Sequence, residues 1–389
     1  MKKIFENKRD LVIEICVVVG VIAVIAICLL FMKNTPVVEE GSTTTTTTKQ
    51  SGSRDINKTE TIGVIPTMYD TVLTDSAWTP TFELIWHDLK NKYVHQDITW
   101  AGQPSIVDSL NKEYFKENMI SDEYLYKIAD YKTLELKKTI EKGIKDKFNQ
   151  ESDVLDDIDW SDSELDHGPE EERRILLYSM LYREFEYINP LDELQNSNFK
   201  NVENVRYFGF DNNSDSKLTN QIEVLYYDTK DYMIKLNTKN GDELFFIINP
   251  EGSTFNEMWT NANNKANKYT GNKVFTTNDY LKIPYLSFDI KREYTELCNH
   301  VFFNKTGTEY FDIQKAIQTI KLELDNKGGK VKSEAVIDTK NGITSVGKEP
   351  EHRYFYYNDT FALFIKEKNK DVPYFAARVD DINKYQEEA

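Results

Sequence analysis

Cysteine and histidine are scarce in this 389-residue sequence, with three and five copies respectively. Cys16 and Cys28 lie together in an apolar run near the N-terminus, which leaves Cys298 without a partner for an intrachain disulfide in the rest of the chain. A region of this size without a disulfide depends on its hydrophobic core, which suits a bacterial surface better than a disulfide-rich secreted module.

Sequence motifs of catalysis are also missing. The five histidines have no metal-ligand spacing, and HExxH, GxSxG, Cys-x-x-Cys and the phosphate-binding loop do not occur. Carboxylates are so numerous that no catalytic pair stands out. The prediction is therefore no enzyme, no metal and no cofactor, with an unrecognised enzyme kept as a third hypothesis.

Positive charge is in short supply, because 48 Lys and Arg face 65 Asp and Glu and the formal net charge is −17. Such a field repels nucleic acid, which we exclude as a partner. Eleven carboxylates crowd into residues 151–172, and their DDIDWSD core invites a calcium interpretation. Asp162 stands where a calcium loop needs glycine, so a solvated acidic loop is the favoured alternative.

Only one apolar run, residues 15–32, is long, and with residues 11–14 it reaches the roughly 20 residues that cross a bilayer. Lys2, Lys3, Lys8 and Arg9 precede it, which predicts a cytoplasmic N-terminus. A buried core helix and a lipid-modified Cys28 are the disfavoured alternatives. The predicted order is a cytoplasmic tip (1–10), a single transmembrane helix (11–32), a Thr/Ser/Gly-rich linker (33–60) and an extracytoplasmic domain (61–389).

Helical periodicity comes early in that domain and strand patterns follow. Residues 79–93 predict a helix with Thr79 as its cap and with Phe82, Ile85, Trp86 and Leu89 on one face; residues 131–150 predict a second helix. Strands are predicted at 175–182, 222–227, 231–238, 243–252, 280–290 and 315–324, with a hairpin turn at Asn240-Gly241 and a short helix at 292–301. This order indicates an α+β fold around at least one large, mainly antiparallel sheet.

Residues 326–353 form a long segment with few large apolar side chains. Read with period two, one side is uncharged and the other is charged apart from Val336. The uncharged side comprises Gly329, Val331, Ser333, Ala335 and Ile337, and the charged side comprises Lys330, Lys332, Glu334 and Asp338. The segment is therefore able to act as a strand, or alternatively as a surface hairpin that turns at Asn341-Gly342.

Four segments resemble, in order, strand motifs of the serpin family of protease inhibitors, and the resemblance spans about residues 131–381. Residues 175–199 (ILLYSMLYREFEYINPLDELQNSNF) are similar to the family's NALYFKGKW-x-x-PF strand and turn, and residues 231–258 to the strand pair that ends in LPxEG. Residues 283–297 (IPYLSFDIKREYTEL) and 361–379 (FALFIKEKNKDVPYFAARV) resemble two further family strands. The chain is thus identified as a divergent, membrane-tethered, bacterial-type member.

The resemblance implies a large central sheet with smaller sheets and surrounding helices, and a monomer whose reactive loop traps a serine or cysteine protease. In this family the protease cleaves the loop and is caught as an acyl-enzyme while the loop inserts into the main sheet. The implied hinge comprises Gly328, Gly329, Lys330, Val331, Lys332, Ser333, Glu334 and Ala335. The implied scissile region comprises Lys340, Asn341, Gly342 and Ile343.

The sequence departs from the family at the positions that gate this sheet. Ser179 and Gln318 replace a buried Asn and His, and Tyr187 replaces a Trp, so the gating hydrogen bonds have to differ. Two functions stay open: a protease inhibitor displayed on the cell surface, or a non-inhibitory surface binding module with the same fold.

Overall fold

The computed structural model describes residues 62–152, 154–160, 174–329 and 352–386, and every structural statement below refers to these residues. The predicted tip, transmembrane helix and linker lie outside them. Within the described part, no helix combines the length and apolar character needed to cross a membrane.

Four α-helices are present: α1 (Thr81–Leu89), α2 (Ser105–Asn111), α3 (Leu134–Phe148) and α4 (Phe255–Lys268). A π-helical turn, Lys90–Val94, extends α1. Single 3₁₀ turns are Glu117–Met119, Asp122–Tyr124, Val154–Asp157, Ser216–Gln221, Thr295–Leu297 and Ile382–Tyr385.

The strands of the first half are β1 (Gly63–Val64), β2 (Ser76–Trp78), β3 (Leu125–Tyr131), β4 (Arg174–Leu181), β5 (Phe185–Glu186), β6 (Asp192–Phe199), β7 (Val202–Phe210), β8 (Ile222–Asp228) and β9 (Asp231–Asn237). Those of the second half are β10 (Asp242–Ile248), β11 (Tyr280–Pro284), β12 (Leu286–Glu293), β13 (Val301–Phe303), β14 (Tyr310–Leu324), β15 (Gly328–Gly329), β16 (Tyr354–Tyr356), β17 (Phe361–Glu367) and β18 (Phe375–Val379).

These strands form four sheets. The largest has seven strands in the order β1-β2-β18-β17-β10-β9-β8, and a four-stranded sheet has the order β16-β11-β7-β6. The central sheet has the order β12-β14-β4-β3, with β13 also paired to β14, and β15 pairs with β5 alone. The predicted α+β class with several sheets is confirmed, but the central sheet is not the largest one, because the seven-stranded sheet exceeds it.

The central sheet is antiparallel except at its middle pair. β14 runs antiparallel to β12 and β4 antiparallel to β3, whereas β14 and β4 are parallel to each other. Parallel neighbours need a long crossover connection, and here the whole of β5 to β13 lies between them.

Helices cover both faces of this parallel pair. On one face α1 packs through Phe82 and Ile85 against Ile175 and Leu177 of β4. On the other face α3 packs through Ile140 and Ile144 against Tyr178 and its neighbours. The continuous apolar run of β4 therefore reflects burial on both faces, as predicted.

Several sequence predictions are confirmed and three are wrong. The hairpin between β9 and β10 turns at Asn240-Gly241, with Gly241 at φ +82°, and α3 begins after Thr133, whose side chain accepts the Leu136 N–H. Residues 280–290 are two strands in different sheets rather than one. The predicted helix 292–301 is instead the end of β12 and a 3₁₀ turn, because pairing with β14 continues to Glu293.

The predicted N-cap at Thr79 is the third error. Pro80 occupies the N-cap position of α1 and no side chain caps the helix. All nine residues of α1 are buried, including the predicted apolar face, so the helix begins inside the protein and not at an exposed cap.

Candidate functional site

The candidate site lies where β14 ends and the chain reverses in a tight turn, residues 325–328, called the hinge turn below. Asp325 closes this turn. Its Oδ1 accepts the N–H groups of Lys327 at 2.7 Å and Gly328 at 3.0 Å, and its own N–H donates to the Gly328 carbonyl at 2.9 Å. An aspartate at the first turn position commonly makes these bonds.

The two glycines after the hinge turn are held against β5. Gly328 is paired with Glu186 and Gly329 with Phe185, in the antiparallel sense. Gly328 has φ +133°, and a Cβ there would lie 2.3 Å from the Phe185 carbonyl oxygen. A side chain is therefore excluded at Gly328, while a Cβ on Gly329 would press on the Phe185 ring at 3.1 Å.

Tyr187 is hydrogen-bonded to the hinge turn through its backbone. Its N–H donates to the Lys327 carbonyl at 2.9 Å, and its ring lies 6.1 Å from that of Phe208. The side chain is almost fully buried, which raises the pKa of the phenol well above its usual range. The structure thus brings the predicted gating residue Tyr187 directly to the hinge.

Ser179 and Gln318 are direct neighbours in the parallel pair, two positions before its end at Leu181 and Ile320. The Gln318 side-chain amide donates to Thr79 Oγ1 at 2.8 Å and Thr81 Oγ1 at 3.1 Å, and its oxygen accepts the Tyr294 hydroxyl at 2.7 Å. The Ser179 hydroxyl is buried and makes no hydrogen bond within the described residues. The two predicted gating residues therefore lie side by side without bonding to each other.

A buried ion pair joins the end of β4 to the seven-stranded sheet. Arg183 donates from Nε at 2.9 Å and Nη2 at 2.6 Å to Asp242 Oδ2, and its guanidinium lies 3.9 Å from the centre of the Tyr124 ring. The Tyr374 hydroxyl donates to Asp242 Oδ1 at 2.9 Å. Burial raises the pKa of Asp242, and the Arg183 pair partly offsets that effect.

Arg353 holds the chain in place just before β16, as the hinge turn does after β14. Its guanidinium forms a two-bond pair with Asp279, with both N···O distances 2.8 Å, and also donates to the carbonyls of Asn272 at 2.6 Å and Val274 at 2.7 Å. Arg353 is 7% exposed and precedes β16 directly. This pair fixes the chain where β16 begins.

The remaining predicted site residues lie outside the described residues. They are Lys330, Val331, Lys332, Ser333, Glu334 and Ala335 of the hinge, and Lys340, Asn341, Gly342 and Ile343 of the scissile region. Among the described residues, no group of three or more His, Cys, Asp or Glu is placed to hold a metal ion.

Sequence reasoning missed the residues that support the site from a distance. Asp279 is 74 positions from Arg353, and Thr79 is 239 positions from Gln318, so no local pattern pairs them. Arg353 lies in the sequence at the border between a charged segment and an apolar run. A cation at such a border is a candidate for burial, and a buried cation needs a carboxylate partner.

Comparison with known proteins gives similarity to solved structures alone: no family model matches, and no curated protein matches. The chain is similar to Tengpin, a thermophilic serpin in its native state, at 12% identity over 81% of this chain and 90% of that one, with a TM-score of 0.48. It is similar to Serpin48 of the insect Tenebrio molitor at 12% identity, 79% and 92% coverage and a TM-score of 0.43. Human thyroxine-binding globulin in complex with its hormone gives 12% identity, 78% and 91% coverage and a TM-score of 0.41.

Proposed function

We propose that this protein is a serpin-like inhibitor that traps a serine or cysteine protease, and that its cleaved loop inserts between β4 and β14. The parallel pair carries this proposal. A strand that entered between β4 and β14 in the opposite direction would be antiparallel to both, and the sheet would become antiparallel throughout. Antiparallel pairing is slightly more stable per residue than parallel pairing, so replacing the one parallel pair by two antiparallel pairs would stabilise the sheet.

The register of the two hinge glycines supports the same insertion. Counting on from the Gly329–Phe185 pair sets Ala335 opposite Ser179. Counting on from the Gly328–Asp325 bridge along β14 sets Ala335 opposite Gln318. Ser179 and Gln318 are themselves partners, so two separate pairings predict one register for the inserted strand.

This register distributes the loop side chains by polarity. Because Gln318 faces α1, residues that share its side of the sheet would be Val331, Ser333, Ala335 and Ile337, all uncharged. Val336, the apolar exception on the charged side, would fall between Tyr178 and Ile317, which pack beneath α3. Ile337 would likewise fall between Leu177 and Ala316, so the two largest apolar residues in this part of the inserted strand would meet apolar neighbours.

The length of β4 bears on the scissile bond. In the same register Lys340 would lie opposite Arg174, where β4 begins, so the strand from Gly329 to Lys340 would span about 36 Å. A cut at Lys340 or within Asn341–Ile343 would free that whole length. The part beyond the cut would stay attached to β16 through Arg353 and Asp279.

We also propose that the domain is tethered to a membrane by residues 11–32, with the N-terminus in the cytoplasm and residues 61–389 outside. The apolar run and the basic residues that precede it support this arrangement. Display on a surface would place the inhibitor where it meets exported proteases, as a monomer.

The deciding experiment incubates the full chain, reconstituted in nanodiscs, with trypsin-like and subtilisin-like proteases. We expect a complex that survives SDS and heating, and a cleaved chain that melts at a higher temperature than the intact one. Simple cleavage around Lys340, with no complex and no rise in melting temperature, would refute inhibition by insertion.

Two loop variants test the register in the same assay. Ala335→Arg would put a charge against the buried Ser179 and Gln318, so we expect cleavage without a complex or a rise in melting temperature. Lys332→Ala changes a residue on the opposite side of the strand, and we expect it to behave as the wild type. Equal behaviour of the two variants would contradict this register.

The second candidate is a non-inhibitory surface binding module. It is favoured by Ser179, whose buried hydroxyl makes no hydrogen bond within the described residues, so a gating bond between Ser179 and Gln318 is not formed. Cleavage that leaves both the melting temperature and the circular dichroism spectrum of the protein unchanged would support this candidate.

A further inference from the structure

A groove of about 660 Å³ lies on the four-stranded sheet, away from the strands of the proposed insertion. Its lining combines carboxylate, amide, ammonium and phenol groups: Asp192, Gln195, Asn213, Tyr280, Lys282 and Tyr356. None of these residues belongs to β4, β14 or the hinge turn. The inference below therefore does not depend on protease inhibition.

The strand register explains why the four-stranded sheet has a groove at this position. Asp192, Gly209, Lys282 and Tyr356 are successive partners across β6, β7, β11 and β16, so they form one row on one face. Strands lie about 4.8 Å apart, which separates the strands of Asp192 and Lys282 by about 9–10 Å with only a glycine between them. A Cβ on Gly209 would lie 2.0 Å from the Leu281 carbonyl oxygen, so this gap has to stay free of a side chain.

Lys282 lies at the bottom of the groove, between aromatic rings and, among the described residues, without a carboxylate partner. Its ammonium lies 4.8 Å from the centre of the Tyr356 ring and 5.6 Å from that of Tyr207, and it donates to Ser197 Oγ at 3.3 Å. Within the described part of the chain it has no carboxylate at ion-pair distance. Burial lowers its pKa, with the charge of Asp211 acting in the opposite direction. A half-buried cation without a counter-ion retains hydrogen-bond donors for a ligand.

The mixture of groups narrows the class of ligand. A cation would meet Lys282, an anion would meet Asp192 and Asp211, and a purely apolar molecule would leave all three without compensation. A neutral molecule whose hydroxyl groups both donate and accept can bond to the ammonium, the amides and the carboxylates together. The half-buried rings of Tyr280 and Tyr356 add flat apolar surface beside these polar groups.

We propose that this groove is a binding site for a short neutral saccharide, with one sugar ring over Gly209, its hydroxyls between Asp192 and Lys282, and a neighbouring ring of the same saccharide against Tyr356. The volume of the groove is within the range of small-molecule sites in proteins. Its openness to solvent and its polar lining suit a ligand that keeps part of its hydration.

The test uses the full chain in nanodiscs, which avoids detergents with sugar headgroups. Neutral trisaccharides of glucose, mannose, galactose and N-acetylglucosamine are titrated by calorimetry, and bound rings are identified by saturation-transfer NMR. We expect at least one to bind with a Kd below about 10 mM, typical of weak specific sites. Absence of saturable binding by all four would overturn the proposal.

Matched variants locate the binding. Tyr356→Ala is expected to weaken it at least tenfold, whereas Tyr356→Phe, which keeps the ring, stays within threefold. Glu203→Gln changes an exposed carboxylate elsewhere on β7 and leaves the affinity unchanged. Should Tyr356→Ala fail to fold, the exposed Asp192→Ala replaces it, again with a loss of at least tenfold.

Two further outcomes would refute the assignment. One is a trisaccharide affinity that is the same in the wild type and the groove variants. The other is displacement of the trisaccharide by hexa-arginine or hexa-glutamate peptide at equal or lower concentration, which would identify a charged rather than a neutral ligand.

Discussion

Glu83 is a buried carboxyl group whose protonation ties the stability of the fold to pH. It lies in α1, and its Oε1 accepts the Phe115 N–H at 2.8 Å, while Oε2 is buried without a hydrogen-bond partner in the described chain. Burial is the main cause that raises its pKa from 4.5 to about 8, with smaller contributions from the charges of Asp70 and Glu113. At neutral pH the folded protein therefore holds this proton.

The sign follows from proton binding. Between pH 4.5 and about 8 the folded protein retains the Glu83 proton that the unfolded chain has lost, so the free energy of unfolding falls as pH rises. The slope is about 1.4 kcal/mol per pH unit, and about 5 kcal/mol over the whole window. Neighbouring His87 acts oppositely below pH 6.5, because burial lowers its pKa and the unfolded chain takes up the proton first.

Glu83→Gln isolates this contribution. Glutamine keeps an acceptor for the Phe115 N–H and cannot ionise. His87 Nε2 lies 3.9 Å from Glu83 Oε1, and because its pKa is lowered from 6.5 it contributes least to the difference between pH 7 and 8. Urea unfolding at pH 5, 6, 7 and 8 should show the variant gaining on the wild type by about 4 kcal/mol in total. Glu203→Gln, at an exposed site, should give a flat difference. A flat difference for Glu83→Gln as well would refute the buried, protonated carboxyl.

Three further predictions concern the candidate site. Gln318→Leu removes the acceptor of the Tyr294 hydroxyl and leaves the Thr79 and Thr81 hydroxyls bonded, within the described residues, only to each other. We therefore expect urea unfolding to show a loss of about 1–3 kcal/mol; a loss below about 0.5 would contradict the network. Gly328→Ala should cost at least 2 kcal/mol and speed hydrogen exchange at the Tyr187 amide, whereas Gly307→Ala, at φ +68° in open space, should cost about 1 and leave that amide unchanged. Arg353→Met strands the buried Asp279 and should cost about 3–5 kcal/mol, with part of the loss recovered when Asp279→Asn is added; an additive double variant would contradict the pair.

The local elements that could be predicted from the sequence are those whose own side chains decide them. β4 was recognisable because both of its faces are apolar, and the structure buries Leu177 against α1 and Tyr178 against α3. The β9–β10 hairpin was recognisable because Gly241 adopts a positive φ that few other residues tolerate. Each of these signals is complete within a dozen residues.

Elements that depend on distant partners escaped prediction. Tyr285 alone separates β11 from β12, which join different sheets, and a period-two pattern does not identify the partner strand. Helix α4 buries small residues such as Ala262 and Ala266, which weakened its helical pattern. Its start was nevertheless readable, because Thr254 accepts the Glu257 N–H and the two form a T-x-x-E capping signal.

The candidate site shows the same division. The hinge glycines were named through the resemblance to the serpin family, and the structure shows why no side chain fits at Gly328. The partners that fix the two ends of the segment, Phe185 for the hinge and Asp279 for Arg353, come from other parts of the fold. A backbone position that requires glycine can be recognised from a local sequence motif. The distant residue that packs against it cannot.

The arrangement around Gln318 bears on how the parallel pair could separate. Its side-chain bonds run to Thr79, Thr81 and Tyr294, so they tie β14 to α1 and its surroundings, whereas the Ser179 hydroxyl of β4 has no part in them. Moving β4 away from β14 breaks backbone bonds between the strands and leaves the Gln318 side-chain bonds in place, but it also disturbs the packing of Phe82 and Ile85 of α1 on β4. An alanine entering opposite both residues brings no polar group to disturb the Gln318 bonds. In the proposed mechanism β14 would thus keep the Gln318 bonds, and the packing of α1 on β4 is what separation of the two strands has to change.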